Sequence, residues 1–406
     1  MGRKDIHGQK DMIFFQEKAP VVTGIFEARL NRFTVRCTVN GKPVLAYLAN
    51  PGRLWEILLP GRKLYLQPSP LKRKLPYTVI AADIDSRPVL LHTPLTNFYV
   101  EKWLERQLIP GLEDFSPIKR EMKFGSSRFD FLLKAPAGLM ALEVKNCTLF
   151  AQNLAFFPDA VSDRGRRHLL ELASFARKPA HLAAVLFVVW WPQALYFIPE
   201  FHTDWKFSQA LLEIKDQVKI QAIAAGLNDN LEPEENSLRP LYIPWPLIEE
   251  EAIDRGAYIL IARTEIKLHI PIGKMGIVEF EPGYYLYAGS ARNNLKARLH
   301  RHGRRHKKLF WHIDYLLERA RLIQVLPIRT IEDLECELAS ELSQIATSVP
   351  GFGCSDCPCQ SHLFFLRTDP RQFPPFLEIL HKFRYHRLRE KLSEARQEGD
   401  HSLDIF

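Results

Sequence analysis

Apolar and polar positions alternate with a period of two over a series of short runs early in the chain: Gly24–Leu30, Phe33–Val39, Pro43–Leu48, Lys63–Gln67 and Tyr77–Ala82. Successive side chains of a strand point to opposite faces, so each run reads as a strand buried on one side. Turn residues separate them at Asn40-Gly41, Asn50-Pro51-Gly52 and Pro60-Gly61, and Asn-Gly tolerates the positive φ of a tight hairpin. The pattern predicts five short strands closing as a small barrel within residues 13–88.

Alternation returns on two arms, Arg128–Leu133 and Leu139–Lys145, joined through Pro136-Ala137-Gly138. Folding about Pro136-Ala137 sets Asp130 opposite Glu143 and Arg128 opposite Lys145. One face then carries Phe129, Phe131, Leu133, Met140, Leu142 and Val144; the other gathers Arg128, Asp130, Glu143 and Lys145. An amphipathic helix is predicted over 160–175, with Asp159 as N-cap and Arg164, His168 and Glu171 on one face. The continuous apolar run Leu182–Trp190 suits a strand buried on both faces. A helix near 208–216 and a strand near 218–223 complete an α/β unit with a mixed sheet over 89–247, closed by a long polar loop at Gly226–Pro246. Ile248–Glu251 reads as a linker. Beyond it, strands at Gly256–Ile261 and Gly283–Ser290, an intervening hairpin over 266–281 and a helix at Leu295–His302 predict an α+β unit over 255–370. A charged helical tail follows over 371–406, with Leu377, Leu380 and Phe383 as its docking face.

At 406 residues the chain exceeds one comfortable core, and 46% apolar content without a long biased tract fits a globular multidomain protein. No apolar run reaches the length of a membrane span, and Met1–Gly8 is polar without a signal core, so a cytoplasmic protein with no membrane partner is expected. The oligomeric state is not written in the sequence. A net charge of +8 favours a polyanionic partner only weakly, so where the charge sits matters more. Arg53 and Lys72-Arg73-Lys74 stand among aromatics in the barrel, a composition suited to DNA or RNA, although most of those rings also suit its core. Seven Lys or Arg lie between Lys296 and Lys308, of which Arg301, Arg304, Arg305, Lys307 and Lys308 are candidate phosphate contacts; a solvated helix face is the bland alternative. Cys354, Cys357, Cys359 and His362 crowd into a ligand set that suits Zn²⁺, with reduced thiols in a tight Gly-rich loop as the alternative.

The chemistry that wants an Asp, a Glu and a Lys on one face is divalent-metal-assisted attack on a phosphodiester. Asp130 and Glu143 offer hard oxygens to Mg²⁺ or Mn²⁺, and Lys145 suits a developing negative charge; a surface salt bridge is the alternative. Arg128-Phe-Asp-Phe-Leu-Leu133, Leu142-Glu-Val-Lys-Asn-Cys-Thr-Leu149 and Phe157–Leu172 resemble the sugar fermentation stimulation protein A family over roughly residues 13–247. That resemblance implies an OB-like barrel before a PD-(D/E)XK-like nuclease unit. Its acid, Glu-x-Lys and upstream Glu fall on Asp130, Glu143, Lys145 and Glu121, and its motif includes Arg164 and His168 as candidate electrophile and proton donor. Gly256-Ala-Tyr258, Tyr287-Ala-Gly289 and Arg298-x3-His302 resemble the GIY-YIG endonucleases of the Uri type, with Trp311–Leu317 and Gly351–Phe364 adding to the match. This implies catalytic roles for Tyr258, Tyr287, Arg298 and His302 and a metal-binding Glu335, with Glu337 as the alternative ligand. Ala257 and Ala288 stand where that motif has Ile. The expectation is a DNA-binding, Mg²⁺-dependent endonuclease with two nuclease-like units. The alternative, implied by the first family's name, is a non-catalytic, sequence-tolerant DNA-binding regulator of sugar metabolism genes.

Overall fold

The computed structural model describes residues 20–69, 74–135, 138–304 and 306–397. Lys72, Arg73, Arg305, the turn residues Pro136-Ala137 and the last nine residues of the expected tail lie outside that set. Contacts divide the described residues into two compact units, one of 20–200 with 204–244 and one of 201–203 with 245–397.

The first unit begins with strands β1 (Val22–Asn31), β2 (Thr34–Val39), β3 (Lys42–Leu48), β4 (Lys63–Pro68) and β5 (Tyr77–Ile84). The antiparallel pairs β1–β2, β2–β3, β1–β4 and β4–β5 and the parallel pair β3–β5 close an OB-like ring, with β6 (Arg87–Leu90) added beside β5. Each alternating run places its apolar set inside, where Val35, Cys37, Ala46, Leu64, Leu66 and Val79 are fully buried.

After α1 (Thr93–Glu105) come β7 (Ser116–Phe124), β8 (Ser127–Ala135), β9 (Gly138–Cys147), β10 (Leu149–Ala151), β11 (Leu154–Phe157), α2 (Asp163–Ala176), β12 (His181–Val189), β13 (Tyr196–Pro199), α3 (Trp205–Ile214), β14 (Lys219–Leu227) and β15 (Pro233–Pro240). A mixed sheet runs β15-β14-β12-β9-β8-β7. Its parallel centre is β9, β12 and β14, and the apolar β12 run is buried on both faces from Ala183 onward, as a central parallel strand requires. The β8–β9 register follows the alternation, with Leu133 opposite Met140 and Phe131 opposite Leu142. Gly138 has φ of +141°, and a Cβ there would strike the Ala180 carbonyl, so the turn needs glycine.

Three expectations are corrected. The β8–β9 ladder ends at Phe131–Leu142, so Asp130 with Glu143 and Arg128 with Lys145 are not ladder partners; Arg128 pairs across β7 with Lys123 instead. Helix α2 is capped by Ser162, whose Oγ accepts the Gly165 N–H at 3.0 Å, because the Asp159 carboxylate accepts the Leu54 N–H at 3.2 Å. The polar segment read as a loop holds β15, an edge strand antiparallel to β14 that has one solvated side and therefore no need of apolar residues.

The second unit opens with α4 (Trp245–Glu251), β16 (Gly256–Thr264), the hairpin β17 (Leu268–Pro271) and β18 (Ile277–Phe280), and β19 (Gly283–Ala291). Then follow α5 (Leu295–Gly303), α6 (His312–Leu317), β20 (Arg321–Arg329), α7 (Glu335–Ile345), β21 (Thr347–Ser348), β22 (Leu363–Leu366), α8 (Pro374–His381) and α9 (Arg387–Gln397). An antiparallel sheet runs β20-β16-β19-β22-β21. Leu377, Leu380 and Phe383 are buried, so the tail is docked through the face its spacing marks. Among the described residues no helix is long and apolar enough to cross a membrane.

The acidic segment taken for a linker is helical and anchors this unit. Glu251 is fully buried, with Arg387 Nη2 at 2.7 Å and Lys391 Nζ at 2.5 Å. Breaking a buried ion pair on one side leaves the other charge uncompensated. Glu251→Gln should therefore lower the stability of this unit by about 3 kcal/mol, read as a fall in the urea midpoint at unchanged m-value.

Candidate active sites

The first cluster stands where β8 and β9 part. With no ladder partner on that side, the Val144 N–H donates to Asp130 Oδ2 at 2.7 Å, and Asn97 Nδ2 of α1 donates to Oδ1 at 2.7 Å. Glu143, two residues before Lys145 on the same face of β9, is buried; its Oε1 accepts from Lys145 Nζ at 2.5 Å and from His168 Nδ1 at 2.6 Å. Arg164 Nε stands 3.3 Å from His168 Nε2, one helical turn away on α2. The ring thus receives at Nε2 and donates at Nδ1. Glu143 Oε2 is buried with no hydrogen-bond partner. Burial pushes the Glu143 carboxyl up, but Lys145 and His168 outweigh it and hold it below the usual range. Asp130 has no such cation bonded to it, so burial, reinforced by the Glu143 charge, pushes it up to about 7.

Lys145 and Asn97, the donors to Glu143 and Asp130, line a cavity of about 870 Å³ shared with Asn50, Arg120, Thr148 and Ser162. Glu121 also lines it, in the left-handed region at φ of +52°, but its carboxylate is paired with Arg128 Nη1 at 2.9 Å. Its oxygens do not join those of Asp130 and Glu143 in a three-ligand group. An orphaned buried carboxylate oxygen beside a second carboxylate fits a hard divalent cation. Asn97 and the Val144 N–H were not legible in the sequence, since neither type marks a site alone.

The second cluster lies in the antiparallel sheet. Tyr258 of β16 and Tyr287 of β19 are buried with ring centroids 6.4 Å apart, and burial raises both phenols. A Cβ at Gly289 would stand 2.6 Å from Tyr258 Oη, so glycine there makes room for the ring. Tyr258 Oη is 2.9 Å from His302 Nε2. Burial first, then Lys307, lowers His302 to about 4, so it is neutral near pH 7. Arg298 lies over the Trp311 ring at 4.1 Å. Glu335 Oε2 accepts from Ser290 Oγ, and Oε1 is 3.1 Å from His362 Nδ1. Glu337 is exposed and paired with Lys382.

The basic residues divide. Arg301 makes a two-pronged pair with buried Asp314 at 3.0 and 2.9 Å, and Lys307 joins it at 3.2 Å. Burial raises the Asp314 carboxyl, but these cations and the Phe310 and Trp311 N–H groups bring it down to about 2. Arg304 and Lys308 are exposed around a hollow that also carries Phe310, 73% exposed. In the barrel, Lys74 is exposed, whereas Arg53 donates to the Asp159 carbonyl and stacks over Trp55 at 4.7 Å. Among the thiols, Cys357, Cys359 and His362 come together with Cys336 of α7, and Cys354 does not join them.

Residues 28–91 match the SfsA N-terminal OB domain and residues 94–230 the sugar fermentation stimulation protein RE domain. The sugar fermentation stimulation protein homolog of Methanothermobacter thermautotrophicus is 37% identical over 227 residues, 55% of this chain and 93% of the relative. The chain belongs to the sugar fermentation stimulation protein family. The homolog from Pyrobaculum islandicum is 38% identical over 202 residues, 49% of this chain and 85% of the relative. The solved structure of Pyrococcus furiosus SfsA in complex with Ca²⁺ aligns with a TM-score of 0.52 at 30% identity, over 57% of this chain and 98% of that one. Residues 257–385 of this family member match the domain of unknown function DUF123, a Uri/GIY-YIG-like domain.

The Asp130 environment has a measurable consequence. An unfolded aspartate titrates near 4 and Asp130 near 7, so ionising it opposes folding. Its stabilising contribution is complete below pH 4 and is lost as pH rises through about 7. In metal-free protein, wild type should lose stability relative to Asp130→Asn over that window; urea midpoints of the two that run parallel with pH would show the carboxyl unperturbed.

Proposed function

We propose that this chain binds DNA and hydrolyses its phosphodiester bonds with a divalent cation, at one site built on Asp130, Glu143 and Lys145 and another on Tyr258, His302, Arg298 and Glu335. The observation that carries the reading is the buried, unpartnered Oε2 of Glu143 near Asp130, with their hydrogen-bond donors Lys145 and Asn97 lining the cavity. Asp130 and Glu143 would hold Mg²⁺ or Mn²⁺, and the Ca²⁺ in the Pyrococcus furiosus relative is a cation of the same oxygen-seeking kind. Such an ion supplies an activated water and neutralises charge on the phosphate. Lys145 orients the nucleophile and meets the developing negative charge, while His168, steadied by Arg164, holds Glu143 in place. At the second site the Tyr258 hydroxyl donates its hydrogen bond to neutral His302, which leaves the phenol oxygen free to accept from an incoming water; Arg298 would meet the phosphate, and Glu335 would be the carboxylate for the metal.

Cleavage of single- and double-stranded DNA and RNA, with Mg²⁺ or Mn²⁺ against EDTA, tests the reading. Asp130→Ala should abolish one set of products and Glu335→Ala the other, and Lys145→Ala should lower the first rate by about 10²–10³. Salt-dependent DNA binding with no metal-dependent cleavage would leave the chain a binding protein. Unchanged products in the Asp130→Ala, Glu335→Ala double variant would place the chemistry elsewhere.

Binding itself should be electrostatic and tolerant of sequence, given exposed Lys74, Arg304 and Lys308 and the nearby exposed Phe310 ring. If about six phosphates are neutralised, log affinity falls against log salt with a slope of about −5. A flat dependence with preference for one sequence, measured by fluorescence anisotropy, would contradict it.

A further inference from the structure

We propose that Cys336, Cys357, Cys359 and His362 form a zinc site that fastens helix α7 to the loop before β22. The inference does not depend on nuclease activity. One donor atom from each of the four residues lies within 4.8 Å of all the others. In a tetrahedral site with Zn–S near 2.3 Å and Zn–N near 2.05 Å, two sulfurs stand roughly 3.8 Å apart and sulfur and nitrogen roughly 3.6 Å. Cys357 Sγ and His362 Nε2 are 3.3 Å apart, so small outward movements admit the ion.

The ligand set differs from the one the spacing suggests. Cys354 lies closest to the others along the chain after Cys357 and Cys359, yet Cys336, from a helix some twenty residues earlier, takes the fourth place. Three thiols are one more than a disulfide uses, and with the imidazole they make the four donors a closed zinc centre needs. Soft sulfur ligands also select zinc over the hard cation expected at carboxylates.

His362 is already set for the role. Its Nδ1 is 3.1 Å from Glu335 Oε1, and an ionised carboxylate only accepts, so the proton sits on Nδ1 and the Nε2 lone pair faces the thiols. Coordination would release the thiol protons to solvent as Zn²⁺ replaces them. The loop from Gly351 to His362 has little apolar anchorage beyond buried Phe352, and a metal cross-link supplies what its packing lacks. The same imidazole then tethers Glu335, so the zinc site is also a positioning element for that carboxylate.

The test is zinc content of the full-length chain, purified under reducing conditions without chelator. About one zinc per chain is expected, falling to background in Cys336→Ser and Cys359→Ser and retained in Cys354→Ser. Alkylation mapping of the wild-type chain covers the case in which those variants do not fold: Cys336, Cys357 and Cys359 should react only after chelator is added, and Cys354 with or without it. Zinc lost from Cys354→Ser but kept in Cys336→Ser, thiols equally reactive before and after chelation, or a Cys336–Cys359 disulfide in place of metal would each overturn the proposal.

Discussion

A carboxylate on the central strand of a sheet must be held by charge or hydrogen bonds, or it takes a proton, and the first unit is arranged around that constraint at Glu143. The period of two puts Lys145 on the same face of β9, and the parallel pairing of β9 with β12 fixes that face against α2. The Ser162 cap sets where α2 begins, which brings His168 to Glu143 and Arg164 to His168. Lys145 and the His168 ring on one oxygen hold Glu143 below the usual carboxylate range, and the other oxygen is left without a partner. Asp130 bears the consequence, since the Glu143 charge adds to burial in raising it. A pair of carboxyls with environments that push them apart is poorly suited to stability alone and well suited to a cation that would relax both.

The second unit meets a similar demand at Asp314. This carboxylate is fully buried, and it takes Arg301, Lys307 and two backbone N–H groups to hold it. Part of the basic run is therefore structural, while Lys296, Arg304 and Lys308 are exposed among the described residues. Asp314 also stands 3.9 Å from His302 Nδ1, on the far side of the ring from Tyr258. At that distance the ring makes no hydrogen bond to Asp314, and the 2.9 Å contact with the Tyr258 hydroxyl is what orients it.

What the sequence carried was mostly what a short period carries. The five barrel strands, the amphipathic hairpin and the buried β12 run were legible because alternation or its absence reports burial directly. The β8–β9 register was legible, but the point where the ladder stops was not, because strand parting depends on tertiary pairing of β9 with β12. Asp159 and Ser162 are both good caps by type, and only the Leu54 N–H in the barrel decides between them. Cys336 was invisible as a partner of Cys357 because its proximity comes from the docking of α7, across a loop of unreadable geometry. The acidic run ending at Glu251 reads as a linker because its cations, Arg387 and Lys391, lie over a hundred residues further on.

In the proposed reaction Glu143 Oε2 and Asp130 would together hold the divalent cation. Crystals soaked in Mn²⁺ and measured for anomalous scattering test it without reference to activity. A manganese peak is expected between those two carboxylates, lost in crystals of Asp130→Ala. A fully soaked crystal with manganese only elsewhere, and with Lys145 and His168 still closed on Glu143, would contradict it.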